Sequence, residues 1–354
     1  MFKEAIERVP FPVCGVALGT VALGNLLDNY VPGLRYALAV LAALMLCALV
    51  AKCVLVPGFF RENMENPISA SVSGTFPMTV MQLSALVAPF WGPVAFVFWG
   101  AAVVAHMALI LFFTVRYVFH LKLDEVFASW FIAYVGLAVA SVTAPAFGME
   151  AFGAGVFWFA FAALVVLVCL VTARYVARRE MAEATLPLIC IYAAPFNLCV
   201  VGCLNSVEPA PVAFVTALWA IGAVLYVVSA VNCVLCLRRD FYPSYAAFTF
   251  PFVISAMASL MLGRTAAAAG APLAVVELLT PVQVVVAAVL VTFVVVRYVA
   301  FVAAPTVAHA EEEEAWDEVS LTDVPEGEDL VGYPRPVAEE AERLLAEKEA
   351  AVKA

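Results

Sequence analysis

The sequence predicts an all-α membrane protein of ten transmembrane helices, and three observations carry that prediction. Only 13% of its 354 residues are charged and 65% are hydrophobic, whereas roughly a quarter of a soluble domain is charged. Apolar runs of about 20 residues recur along the chain, the length at which a helix crosses a bilayer with every backbone group satisfied internally. The basic residues between those runs fall almost entirely on one side of the membrane that the runs define.

Taken in order, the runs are 11–27 (span 1), 34–56 (span 2), 68–89 (span 3), 91–119 (span 4), 126–146 (span 5), 152–176 (span 6), 186–204 (span 7), 211–237 (span 8), 245–261 (span 9) and 280–303 (span 10). The breaks at 89–93, 147–151 and 205–210 are short, and each contains Pro or Gly, which supports a turn. Lys3, Arg8, Lys52, Arg61, Arg116, Lys122, Arg174, Arg178, Arg179, Arg238, Arg239 and Arg297 lie on one side, and only Arg35 and Arg264 on the other. An excess of basic residues marks the cytoplasmic side, so both termini are expected in the cytoplasm, which requires an even number of spans.

Three regions follow: a cytoplasmic N-terminus (1–10), a ten-helix transport domain (11–303) and an acidic cytoplasmic tail (304–354). Residues 310–354 hold 15 Asp and Glu against Arg335, Arg343, Lys348 and Lys353, so the formal net charge of −10 belongs to the tail. Glu311 to Glu314, followed by Pro325, Gly327, Pro334 and Pro336, reads as a solvated linker with a short helix over 337–352. A soluble extension is the preferred reading, with a regulatory tail as the alternative. Span 1 follows Pro10 and Pro12 and lacks a small-x-small cleavage site, so no removable signal peptide is expected.

Nine cysteines are scattered through apolar segments. Cys233 with Cys236, and Cys199 with Cys203, lie inside predicted spans without His or acidic neighbours. They read as small buried hydrophobes, with a redox or metal pair as the alternative. Nothing in the sequence asks for a cofactor or a nucleic-acid partner.

Helix breakers follow a parity. Span 1 carries Pro12, Gly15, Gly19 and Gly24, span 3 Gly74 and Pro77, span 5 Gly136 and Pro145, span 7 Pro187, Pro195 and Gly202, and span 9 Pro251. The even spans have no proline beyond their first few residues. A proline in a helix interior costs about 3 kcal/mol, and membranes tolerate it where protein or a watery cavity takes up the freed groups. The odd spans also hold most small polar residues: Ser69, Ser71, Ser73, Thr75, Thr79 and Gln82, then Ser141 and Thr143, Asn197, Thr249 and Ser255. An inner ring of odd spans around a pathway is expected, enclosed by even spans facing lipid or other subunits. Ordinary packing through small residues accounts for Gly15 and Gly19 but not for the parity. Phe11-Pro12, Phe76-Pro77 and Phe250-Pro251, with Pro195-Phe196 reversed, point to repeated helical hairpins.

No odd span has Asp, Glu, Lys or Arg near its middle, which argues against a cation pathway or a proton relay. His106 in span 4 falls on the expected outer ring, where a structural role is preferred to a relay. Half-helices that begin after each break direct partial positive charge inward and favour an anion.

The segments 15–25 (GVALGTVALGN), 66–77 (NPISASVSGTFP) and 243–256 (PSYAAFTFPFVISA) resemble the tellurite-resistance/dicarboxylate transporter family, which includes fungal malate and sulfite carriers and the slow anion channel of plant guard cells. The resemblance covers roughly residues 8–303. It implies five helical hairpins around a pore, a homotrimer with one pore per subunit in the plasma membrane, and small anions as the transported species. It also implies a phenylalanine plug in span 9, which matches Phe250, and a close-packed glycine in span 1, which matches Gly15. Phe76 and Phe196 are the next candidates for the constriction, and Phe248 is expected to point elsewhere. Pro12, Ser73, Thr75, Pro77, Pro195, Thr249 and Pro251 complete the expected lining and breaks. Span 5 departs from the family pattern, with Ala133 where a mid-helix proline is expected.

The function expected is an anion channel or transporter for monovalent inorganic anions, or for a C4-dicarboxylate, sulfite or tellurite. A proton-coupled malate or sulfite carrier is the alternative. An intramembrane enzyme would need a nucleophile or metal constellation, and the chain has three histidines in all. A receptor or purely structural protein would have little use for a kinked inner ring.

Overall fold

The structure is a computed structural model that describes residues 2–178 and 181–304, without the side chains of Phe2 and Glu4. The expected helix at 337–352 lies outside the described residues. Eight long apolar helical stretches and one shorter one carry the spans: Val13–Leu27, Leu34–Leu55, Pro67–Val118, Trp130–Phe147, Glu150–Ala177, Glu183–Ser206, Val212–Cys236, Pro243–Ala268 and Ala274–Ala303. Pro67–Val118 contains spans 3 and 4. Its backbone leaves helical geometry at Trp91 (φ −137°, ψ 60°), between Pro89 and Pro93. A Cβ on Gly74 would lie 3.2 Å from both His106 and Leu109, although a straight helix would hold Gly74 and His106 about 48 Å apart. The chain therefore reverses at Trp91, and the described residues contain ten crossings. Short helices over Phe2–Glu7 and Phe59–Glu65, which the hydrophobic runs do not reveal, lie at the end of the bundle that carries both termini of the described chain, where Arg8 donates to the Ala304 carbonyl.

Consecutive spans 1 and 2, 5 and 6, 7 and 8, and 9 and 10 pack against each other, as spans 3 and 4 do across the turn at Trp91. Burial follows the parity. In their most apolar stretches, spans 5, 7 and 9 are 67%, 83% and 78% buried, whereas spans 2, 6, 8 and 10 are 28%, 33%, 28% and 33% buried. Span 1 is buried at nearly every position from Val13 to Leu26. The exposed faces of the even spans carry Val40, Leu44, Val166, Val224 and Val285, side chains that suit a lipid or protein neighbour.

The even spans 2, 6, 8 and 10 are continuous helices, while spans 3, 5, 7 and 9 are each built in pieces. Span 3 turns at Ser73–Gly74 before the helix that starts at Thr75, and span 7 runs as a 3-10 helix over Glu183–Ala193 before Ala194–Ser206. Span 9 is a 3-10 helix over Pro243–Phe248, then Thr249 (φ −96°, ψ −88°), then the helix Phe250–Ala268. Four of the prolines expected to break helix interiors instead lie at helix starts, whereas Pro187 lies inside the 3-10 helix of span 7 and Pro281 inside the helix Ala274–Ala303, which starts earlier than the hydrophobic run of span 10. Pro12 caps span 1, Pro195 and Pro251 sit at second positions of their helices, and Pro77 sits at the third. The first four N–H groups of a helix have no intrahelical acceptor, so proline removes nothing there and the interior cost does not arise.

Candidate functional site

Two cavities follow one another along the odd spans. The first, of about 110 Å³, is bordered by the first halves of all five: Pro12, Gly15 and Leu18; Ile68, Thr75 and Met78; Phe131 and Gly136; Leu188 and Pro195; Ala247 and Phe250, among others. The second, of about 60 Å³, is bordered by their second halves: Ala22 and Asn25; Gln82; Val139 and Val142; Val201; Val253, Ile254 and Met257. No even span borders either cavity, and neither lining contains a charged side chain. Phe250 and Leu198 are the residues common to both. Each cavity holds more than the space one water requires, and these two side chains stand between them.

Phe250 is placed by the break before it. Thr249 is fully buried, and its hydroxyl lies 2.7 Å from the Ala246 carbonyl and 3.2 Å from the Gly15 carbonyl of span 1. One turn along span 1, a Cβ on Gly19 would collide with the Thr249 side chain and lie 2.9 Å from the Phe250 nitrogen. Gly19 is therefore the close-packed glycine. Gly15, to which the resemblance assigned that role, has room for a Cβ at 3.4 Å from Ala246 and borders the first cavity instead.

Span 5 breaks without a proline. It runs as a helix over Trp130–Tyr134 and as a 3-10 turn over Val135–Leu137. His106 of span 4 is fully buried, with Nε2 3.0 Å from the Ala133 carbonyl. A carbonyl only accepts, so Nε2 carries the proton. A Cβ on Gly136 would meet the His106 ring at 3.2 Å, as one on Gly74 would, so the imidazole fits between the breaks of spans 3 and 5. Phe131, Ile132, Val135 and Gly136 all border the first cavity, so span 5 contributes to the wall despite Ala133.

The breaks of spans 7 and 9 share a polar junction. Asn197 Nδ2 donates to the Ala193 carbonyl at 2.8 Å and to Ser255 Oγ at 2.9 Å. Ser255 Oγ lies 3.1 Å from the same carbonyl and 2.8 Å from that of Pro251. Gly222 of span 8 leaves room for Asn197, since a Cβ there would come within 2.8 Å of its amide.

Of the expected lining residues, Pro12, Gly15, Thr75, Pro195, Phe250 and Pro251 border the first cavity. Ser73, Pro77, Phe76, Phe196 and Thr249 border neither. Phe76 and Phe196 thus do not share the constriction, because their helices turn the neighbouring Thr75 and Pro195 toward the cavity. Phe248 is fully buried against Tyr245 and borders neither cavity. Leu198 was not legible, being one leucine in an apolar run. Its spacing of three from Pro195 is the one sequence signal that could have found it. The cysteines are free thiols, and the described residues contain no cluster able to hold a metal.

The second cavity holds a polar pair. Asn25 Nδ2 lies 3.0 Å from Gln82 Oε1, and both amides border the cavity. Comparison with curated proteins gives no match. A family described as voltage-dependent anion channel (SLAC1) matches residues 8–299, which takes in all ten spans except the last turn of span 10 and leaves out the acidic tail. With odd spans surrounding two uncharged cavities and a family match over most of its length, the chain belongs to the SLAC1 family of voltage-dependent anion channels and is a multi-pass membrane protein.

Proposed function

We propose that each subunit passes small anions along the line of the two cavities, with Phe250 as the plug between them. The observation that carries this is the shared border: Phe250 and Leu198 alone line both cavities. An aromatic and an aliphatic side chain at that level form an apolar constriction, which blocks by filling volume and excluding water. Thr75, Ala194 and Phe250 begin the second helical pieces of spans 3, 7 and 9 and border the first cavity, so partial positive charge from three helix starts is directed toward it. Neither lining has a carboxylate to protonate, which favours a passive channel over a proton-coupled carrier.

In this reading the anion is a small monovalent inorganic ion, or a C4-dicarboxylate, sulfite or tellurite. The assembly is a homotrimer in the plasma membrane with one pathway per subunit, and both termini are cytoplasmic. The test is flux through purified protein in liposomes, with chloride, nitrate, sulfite, malate and tellurite compared at two proton gradients. Flux that ignores the gradient supports the channel, and uptake that requires it supports the carrier. Truncating a packed phenylalanine costs about 3–5 kcal/mol, so flux is counted per folded protein. Phe250→Ala is expected to raise it and Phe248→Ala to leave it unchanged. Unchanged or reduced flux for Phe250→Ala removes this residue from the gate.

A further inference from the structure

The outward face of span 10 ends on an arginine. Val285, Val289 and Phe293 are exposed at spacings of four along the helix Ala274–Ala303, and Arg297 is the next exposed residue of that stripe. No charged residue lies between Glu277 and Arg297, and both are exposed. At about 1.5 Å per residue these two stand about 30 Å apart, the thickness of the hydrocarbon core. Arg297 therefore faces outward where the apolar core gives way to the headgroups, at the end of the bundle that carries the termini. A charge in that position is costly unless it reaches the headgroups or a partner.

The surroundings fix this guanidinium without neutralising it. Arg297 Cζ lies 5.0 Å from the centre of the Phe241 ring, and among the described residues no carboxylate is within ion-pair distance of it. Of the charged groups nearby, Arg239 is paired with Glu183 at 3.1 Å, Lys3 with Glu7 at 3.6 Å, and Arg8 is held by the Ala304 carbonyl. Arg238 and Asp240 are exposed in the turn before Phe241, so Arg238 and Arg297 stand against a single carboxylate. The Phe241 ring is built into the entry to span 9. It packs edge-on against Tyr245 at 5.4 Å and Tyr298 at 5.6 Å. Tyr298 donates to the Pro243 carbonyl, and Tyr245 donates to that of Asp240 at 2.9 Å and packs on Phe248 at 4.7 Å. These contacts hold the 3-10 helix Pro243–Phe248, which ends at Thr249, the turn that orients Phe250.

We propose that Arg297, seated on Phe241, binds the phosphate of an anionic phospholipid in the leaflet at the termini end, and that the bound lipid steadies the 3-10 helix that precedes Phe250. The planar guanidinium presents paired N–H groups to two phosphate oxygens. The apolar stripe of Val285, Val289 and Phe293 leads up to the arginine along the path of an acyl chain, a surface that free phosphate would not use. The binding site stands without the reading of the two cavities as an anion pathway, and its effect on conduction rests on that reading.

The test uses the full-length protein in phosphatidylcholine vesicles carrying increasing amounts of phosphatidylglycerol, and native mass measurement counts the phosphatidylglycerol retained per subunit. Arg297→Gln is expected to raise the half-saturating content about tenfold. Arg297→Lys keeps the charge but not the fork and should raise it less. Arg61→Gln, which removes a charge already paired with Glu65 at the same end, should leave it unchanged. In the wild type the lipid should lower flux per folded protein beyond the repulsion that a negative surface exerts on anions, and in Arg297→Gln only that repulsion should remain. Equal half-saturation in the wild type and Arg297→Gln overturns the site, as does an equal rise in Arg61→Gln. Displacement of the lipid at equal concentration by inorganic phosphate, or by a peptide of residues 310–354, overturns the lipid assignment in favour of free phosphate or of the acidic tail. Loss of subunit assembly in Arg297→Gln with the lipid retained overturns it in favour of a neighbouring subunit. Lipid retained through Arg297 with the same flux change in wild type and variant overturns the link to Phe250. A wild type that conducts no anion defeats the pathway reading and leaves the lipid count standing.

Discussion

Gly19 of span 1 lies so close to Thr249 of span 9 that a single methyl group on the glycine would occupy the space of the threonine side chain. Thr249 is the residue whose backbone turns Phe250 toward the cavities, so the position of Phe250 depends on the absence of a side chain on a different helix. Gly19→Ala is expected to cost about 1–3 kcal/mol through overpacking and to shift anion flux together with stability. Gly15→Ala meets only ordinary contact at 3.4 Å and should melt at or above the wild-type temperature. Thermal unfolding in detergent compares the two, and equal losses would place the tight contact elsewhere.

His106 supplies the donor that a break without proline leaves the Ala133 carbonyl needing. Leaving a buried carbonyl unpaired costs about 1–3 kcal/mol, so His106→Leu should lower the melting temperature. It should also alter flux, because Gly136 beside the ring is part of the cavity wall. Glutamine reaches about as far as the imidazole and carries an N–H donor there, so His106→Gln should recover most of both losses. Failure of glutamine to do better than leucine would point to ring volume rather than the hydrogen bond.

Leu198 shares with Phe250 the border between the cavities. Leu198→Ala should raise flux, to a smaller extent than Phe250→Ala, while costing about 2–5 kcal/mol of stability. The double variant should exceed either single one, measured as flux per folded protein. A closed phenotype for Leu198→Ala would mean that the leucine props the cavity open.

The basic asymmetry between the two ends predicts sidedness. A reporter at residue 354 should be reachable only from the cytoplasm, and one in the turn at Trp91 only from outside the cell. Labelling of intact cells tests both, and a residue 354 reporter reached from outside defeats the ten-span orientation.

The exposed apolar faces of spans 2, 6, 8 and 10, together with the family resemblance, predict a trimer. Native mass measurement in mild detergent should give three copies of the 37.8 kDa chain. A monomer transporting at full rate would show that trimer formation serves something other than conduction.

The number of spans, the alternation of broken and continuous helices and the asymmetry of charge could all be read from the chain, because the bilayer imposes each of them locally. About 20 apolar residues are needed to cross, a proline is favoured in the first turn of a helix, as at Pro12, Pro77, Pro195 and Pro251, and a lysine or arginine states which side its loop prefers. Even the Trp91 reversal was visible as a pair of prolines around a glycine. The identity of the tight glycine, the partnership of Leu198 with Phe250 and the use of His106 in place of a proline were not visible. Each depends on which side chain meets which across helices distant in sequence: Thr249 bonds to a carbonyl 234 residues away, and His106 to one 27 away. Gly15 and Gly19 stand one turn apart on the same apolar face, and no local pattern separates them. What separates them is the close approach of span 9 at the level of Gly19, where the kinked backbone before Phe250 leaves no room for a Cβ.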